Sequence, residues 1–147
     1  MTDMELTLAD LYEADETAWL DAMVELLRHG NISALDLPHL QEFLSDTALR
    51  ERKEVESRLV ILIAHILKWE HQPDHRSKSW SGSIIAQRQE LVRNASRGVL
   101  RKHAESAIAE TYEDALELAA DETGLPPSAF PAECPYTLEQ LLNYKPA

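Results

Sequence analysis

A single cysteine, Cys134, in a chain of 147 residues leaves no disulfide framework to form and no four-thiolate zinc site to build. It is expected to be a structural or adventitious thiol in a reducing compartment. Glycine is scarce as well, with four in all, and none belongs to a phosphate-cradling loop or a Gly-x-Ser-x-Gly elbow. No run of alternating β-branched residues occurs, whereas Leu, Ala and Glu abound, so the composition predicts helix throughout. Long apolar runs are missing too. The densest, residues 59–67, contains His65 and has less than half the length a bilayer crossing needs. The opening MTDMELTLADLYEADETAWL has no basic stretch followed by an apolar one, so it does not read as a signal peptide. These absences predict a cytoplasmic protein without a membrane segment, and the length suits one domain spanning residues 1–147.

Positive charge is also in short supply: 14 Lys and Arg face 26 Asp and Glu, for a net charge of −12. Its distribution says more than its total. Residues 1–75 carry a net −10, residues 76–102 a net +6 and residues 103–147 a net −8. An acidic surface repels nucleic acid and anionic membranes, which argues against both as partners and favours a protein partner, a basic one by preference. The basic block 76–102 is open to two readings, a local anion site or ordinary pairing with acidic helices, and the first helix, with no Lys or Arg before Arg28, is the expected counterpart.

From about Asp15 to Arg28, Trp19, Ala22, Met23, Leu26 and Leu27 recur at the spacing of one helical face, and Gly30 is placed to stop the helix. Asp36 before Pro38 predicts the start of a second helix running to about Glu70, which Ser45-Asp46-Thr47 could interrupt and Pro73 must end. A third helix is expected from about Ser83 to Asn94. In the fourth, Leu100, Ala104, Ala107, Ile108, Thr111, Tyr112, Ala115 and Ala119 form a stripe rich in small residues, closing at Gly124. Pro126, Pro127, Pro131 and Pro135 then exclude regular helix or central strand, after which Thr137 and Gln140 make a capping-box pattern for a short last helix. The predicted fold is all-α: an up-and-down four-helix bundle over about residues 12–123 with a Pro-rich tail and a short last helix over 124–147.

Chemistry-bearing residues concentrate in LVILIAHILKWEHQPDHRSKSWSGSIIAQR, residues 59–88. His65 and Trp69 share a helical face with Lys68 within about a turn, and Arg76, Trp80 and Arg88 follow. These six are the candidate ligand-binding residues: a buried imidazole favours its neutral form, guanidinium groups pair with carboxylate or phosphate, and indole offers a stacking wall. The alternative for His65 is a core histidine hydrogen-bonded to its surroundings. Trp80 can equally be a lid on the end of a bundle core. His71 and His75 stand four apart as helical metal ligands do, but Pro73 between them breaks the required helix and no second ligand pair exists, so no metal is expected. His39 with Glu42 reads as a solvated helix start. No catalytic residue, cofactor or enzyme class follows from the sequence.

Several motifs stand together in this chain: Asp15 with Trp19, LLRHG at residues 26–30, Leu35-Asp36-Leu37, Glu56-Ser57-Arg58-Leu59, His65-Ile66-Leu67-Lys68-Trp69, Gln72-Pro73, Ser79-Trp80, Gln87-Arg88 and Cys134-Pro135-Tyr136-Thr137. On these residues the chain resembles a bacterial family catalogued as domain of unknown function 29. The resemblance implies a helical fold and carries no activity. This sequence keeps Glu42 but has Phe43 where the family tends to have consecutive glutamates, so an acidic cluster on the second helix is not expected as a shared site. The expectation is a non-enzymatic interaction module, with an enzyme or anionic-ligand binder built on the His/Lys/Trp/Arg cluster as the alternative.

Overall fold

The computed structural model describes residues 6–147 and holds six α-helices: α1 (Leu8–Ala14), α2 (Glu16–Arg28), α3 (Leu37–His71), α4 (Lys78–Ala95), α5 (Gly98–Thr123) and α6 (Leu138–Leu142). No strand occurs among the described residues, so the all-α class stands. The four helices expected of the bundle are present in order as α2, α3, α4 and α5. They are distributed over two compact units divided within α3, one ending at Leu49 and the other beginning at Arg50.

In the first unit Asp15 caps α2, accepting from the Ala18 N–H at 3.1 Å, and Trp19 and Met23 are the residues α2 buries. The short α1 was not expected from apolar periodicity. Its signal is a capping box in which Thr7 and Asp10 satisfy each other's backbone N–H groups. Of the two courses left open at Ser45-Asp46-Thr47, the uninterrupted helix is the one taken, and the Thr47 hydroxyl donates to the Phe43 carbonyl at 2.9 Å within it.

The direction of each helix in the second unit follows from its cross-links. Arg58 meets Gln87 and Lys68 meets Trp80, so α3 and α4 run antiparallel. Glu56 faces His103 and Lys68 faces Glu122, so α3 and α5 run parallel. This up-down-up arrangement encloses Leu59, Leu62, Ile63, Ile66, Ile84 and Leu91, all buried. On α5, Ala104, Ala107, Thr111, Ala115 and Ala119 are buried as the small-residue stripe requires. Pro73 ends α3 as expected, opening a separate 3₁₀ turn, Pro73–His75. Gly124 (φ 74°) terminates α5 in the left-handed region, donating to the Ala120 carbonyl. The proline-rich tail is irregular apart from one 3₁₀ turn, Pro127–Ala129, and Thr137 with Gln140 caps α6, whose Leu138, Leu141 and Leu142 are buried in the same core.

Candidate functional site

Burial of the apolar face of α3 carries His65 and Lys68 inward with it. Lys68 is only 5% exposed, and its ammonium pairs with the Glu122 carboxylate and lies 5.0 Å from the centre of the Trp80 ring. One turn earlier, the His65 Nδ1–H donates to the Ile61 carbonyl at 2.8 Å, leaving Nε2 as an acceptor. Burial pushes the imidazole below its ordinary value, the Lys68 charge adds to that shift, and the Ile61 bond and Glu122 oppose it. His65, Lys68 and Trp80 thus form one neighbourhood.

Arg76 and Trp69 form another. The Arg76 guanidinium lies 4.7 Å from the Trp69 ring centre, and its donors go to the carbonyls of Trp69 at 2.9 Å and Ala147 at 3.1 Å. Arg88 donates to the Tyr144 carbonyl at 2.6 Å, and the Tyr144 hydroxyl bonds the Glu70 carboxylate. The cations proposed for an anion therefore serve the chain's own C-terminal backbone. His71 donates to the Leu67 carbonyl and meets the Phe130 ring at a tilt with centroids 5.0 Å apart, while His75 belongs to the turn that Pro73 opens. Among the described residues no three of His, Cys, Asp and Glu are gathered where they could hold a metal ion.

Two further arginines of the basic block are paired with carboxylates. Arg93 meets Glu90 at 2.7 Å, and Arg101 joins Glu105 and Glu139 at 3.0 and 2.9 Å. Cys134 lines a cavity of about 490 Å³ with Ile108 and Tyr112. Burial pushes its thiol up, opposed by its bond to the Tyr136 carbonyl, which makes it a poor nucleophile.

A cluster that sequence reasoning missed lies in the first unit. The Asp36 carboxylate, its side chain 10% exposed, accepts from Trp19 Nε1 at 3.1 Å and from His39 Nδ1 at 2.8 Å. The Tyr12 ring stacks on His39 with centroids 4.4 Å apart and meets Trp19 edge-on at 4.8 Å. Burial alone would raise the Asp36 carboxyl; the hydrogen bonds from His39 and Trp19 outweigh it and hold the carboxyl below its ordinary value. His39 is thus half-buried and anchored. The available signal was Asp36-x-x-His39, three apart at a helix start.

The same unit carries an open groove. It lies between α1, α2 and the 3₁₀ turn Ile32–Ala34, has a volume of about 420 Å³, and is lined by Leu8, Ala22, Leu26 and Ala34 with Glu25, His29 and Asn31. Nearby in the chain, Val24, Leu27 (51% exposed) and Ile32 (57%) also lie open to solvent. Residues 1–49 hold eleven Asp and Glu against a single Arg, a formal −10 out of −12 for the whole chain. That Arg28 is tied to Glu25 at 2.9 Å. An apolar depression inside a strongly negative field is a combination the periodicity of α2 could not reveal, because its walls come from three elements.

Among the described residues no helix is long and apolar enough to cross a membrane. Comparison with curated proteins yields no match, and neither does comparison with solved structures. A family model does match, over residues 11–145, and with it the likeness read from LLRHG, His65 to Trp69 and Cys134 to Thr137 extends across nearly the whole chain. The chain belongs to the family described as Domain of unknown function DUF29.

Proposed function

We propose that this chain is a non-enzymatic protein-interaction module of the bacterial cytoplasm, which engages a positively charged protein partner through the groove between α1 and α2. The observation that carries this reading is the groove itself, apolar in its lining, open to solvent and set in a segment of net charge −10. Exposed apolar surface next to a depression marks binding sites more often than scattered exposed residues do. Opposite charge on a partner would speed encounter and exclude wrong partners. A lone cysteine, with no partner in the chain for a disulfide, fits a reducing cytoplasm.

The rival reading, an enzyme or anionic-ligand binder using His65, Lys68, Trp69, Arg76, Trp80 and Arg88, is weakened by the bonds these groups already make. Lys68 is neutralised by Glu122, and the guanidinium groups of Arg76 and Arg88 hold backbone carbonyls. Nucleic-acid binding through residues 76–102 is disfavoured because Arg93 and Arg101 face carboxylates in a chain of net charge −12.

The test is affinity capture from native lysate of the source organism with the wild-type chain and with Ala34→Gln, which fills the groove from an exposed position and alters no charge. A stoichiometric partner retained by the first and lost by the second, with cross-links to α1 or α2, is expected. Recovery of nothing in repeated captures, with a monomer by light scattering, or equal recovery by both chains, overturns the reading.

A further inference from the structure

Resting on that reading of the groove, we infer that its occupant is one amphipathic α-helix of the partner, with Lys or Arg flanking the apolar residues that enter. Proteins recognise peptide segments in a small number of physical modes, and of those that read an internal segment the first unit fits one. Strand addition needs a free sheet edge, and no strand exists among the described residues. Proline-rich ligands dock on aromatic-lined grooves, but the lining here is aliphatic; Trp19 is buried and Tyr12 is stacked on His39. Phosphorylated segments need clustered arginines, and Arg28, the one Arg in residues 1–49, is held by Glu25. A helix laid in a groove remains.

Two features make the groove suit a helix. Ala22 and Ala34 are small, so a helical backbone can come close, while Leu8 and Leu26 supply contacts for side chains three and four apart on the incoming face. Its charge setting then selects the partner's flanks. Glu25 in the lining is paired with Arg28, so the selecting charge comes from Asp10, Glu13, Glu16 and Asp21, exposed on the same two helices. A second copy of this chain would bring another −10 to the same place, so self-association through this face is opposed.

The experiment uses the full chain and three labelled 14-residue peptides: a Leu/Lys helix with Leu at the one, four, five, eight spacing, a scrambled Leu/Lys peptide of equal charge, and a Leu/Glu helix of the first pattern. Fluorescence anisotropy gives affinity and amide shift changes locate the site. The Leu/Lys helix is expected to bind at least tenfold more tightly than the scramble, to move amides at Leu8, Ala22, Leu26 and Ala34, and to weaken at least fivefold on Ala34→Gln. The Leu/Glu helix should not bind. Equal binding of the scramble, or shifts spread over the acidic surface, would reduce the effect to general attraction and overturn the inference. Equal binding of the Leu/Glu helix overturns the partner's charge, and no binding by any peptide overturns the helical occupant. In each of these cases the broader interaction reading stands or falls separately, on whether Ala34→Gln abolishes lysate capture.

Discussion

Arg88 on α4 donates to the backbone carbonyl of Tyr144 at 2.6 Å, so a residue in the middle of the chain fixes the segment that follows α6. Backbone carbonyls outside a helix need a donor from elsewhere, and here a half-buried guanidinium supplies it. Arg88→Ala should lower stability by about 1.5–3 kcal/mol, the range for a hydrogen bond to a charged group. Arg88→Lys should recover only part, because an ammonium lacks the planar fork. Thermal melts measure the loss, and faster hydrogen exchange at Leu141 and Leu142 would locate it in α6. Unchanged exchange there would refute the clamp.

Lys68 and Glu122 supply the second prediction. Glu122→Ala strands a buried ammonium, but Glu122 is 40% exposed, so water can reach the site and the cost should fall to about 1–3 kcal/mol, below that of a fully buried pair. Lys68→Met combined with Glu122→Gln should come within about 1 kcal/mol of wild type, since an apolar isostere removes the desolvation cost along with the attraction. Denaturant melts of the single and double variants decide it. A double variant as unstable as Glu122→Ala would show that the pair itself is needed.

For Asp36, the carboxyl sits lower in the folded chain than its ordinary 3.8. The unfolded chain therefore takes up a proton first as pH falls. The stabilisation is complete above about 3.8 and is lost progressively as pH drops through the lower folded value. Asp36→Ala should flatten the acid limb of a stability profile between pH 5 and pH 2. It should also cost about 1–3 kcal/mol at pH 7, because the buried Trp19 N–H loses its acceptor. An unaltered acid limb would remove Asp36 from the linkage.

His65 gives a limb of its own near neutrality. Its folded imidazole is pushed below the ordinary 6.5, chiefly by burial, so the unfolded state binds the proton more readily. Stability is complete above about 6.5 and declines as pH falls towards the lower folded value, where the loss levels off. His65→Gln should abolish this decline, as read from urea midpoints between pH 7.5 and 5. Persistence of the decline in the variant would assign it to another histidine.

Much of the architecture was legible because helices announce themselves locally. Asp15 and Gly124 mark ends by what they do to their own backbone, and the alanines of α5 mark a buried face by their spacing. Thr47 left two courses open because its hydroxyl has two local outlets, and only the formed helix shows which one it takes. The candidate residues of 59–88 do fall near one another in part, Lys68 with Trp80 and Trp69 with Arg76, but their partners, Glu122, Tyr144 and Ala147, are supplied from far along the chain.

Composition and periodicity alone determined an all-helical chain, its principal helix ends and a negative charge concentrated in residues 1–75, since each depends on backbone preference or on counting, while the family was legible in its motifs. Tertiary structure alone decided which polar groups meet: Asp36 with Trp19 and His39, Arg88 with Tyr144, and the apolar groove beside Ala22 and Ala34. Those meetings depend on how separate elements are brought together in space, and contacts between residues tens of positions apart leave no mark on the local pattern that specifies a helix.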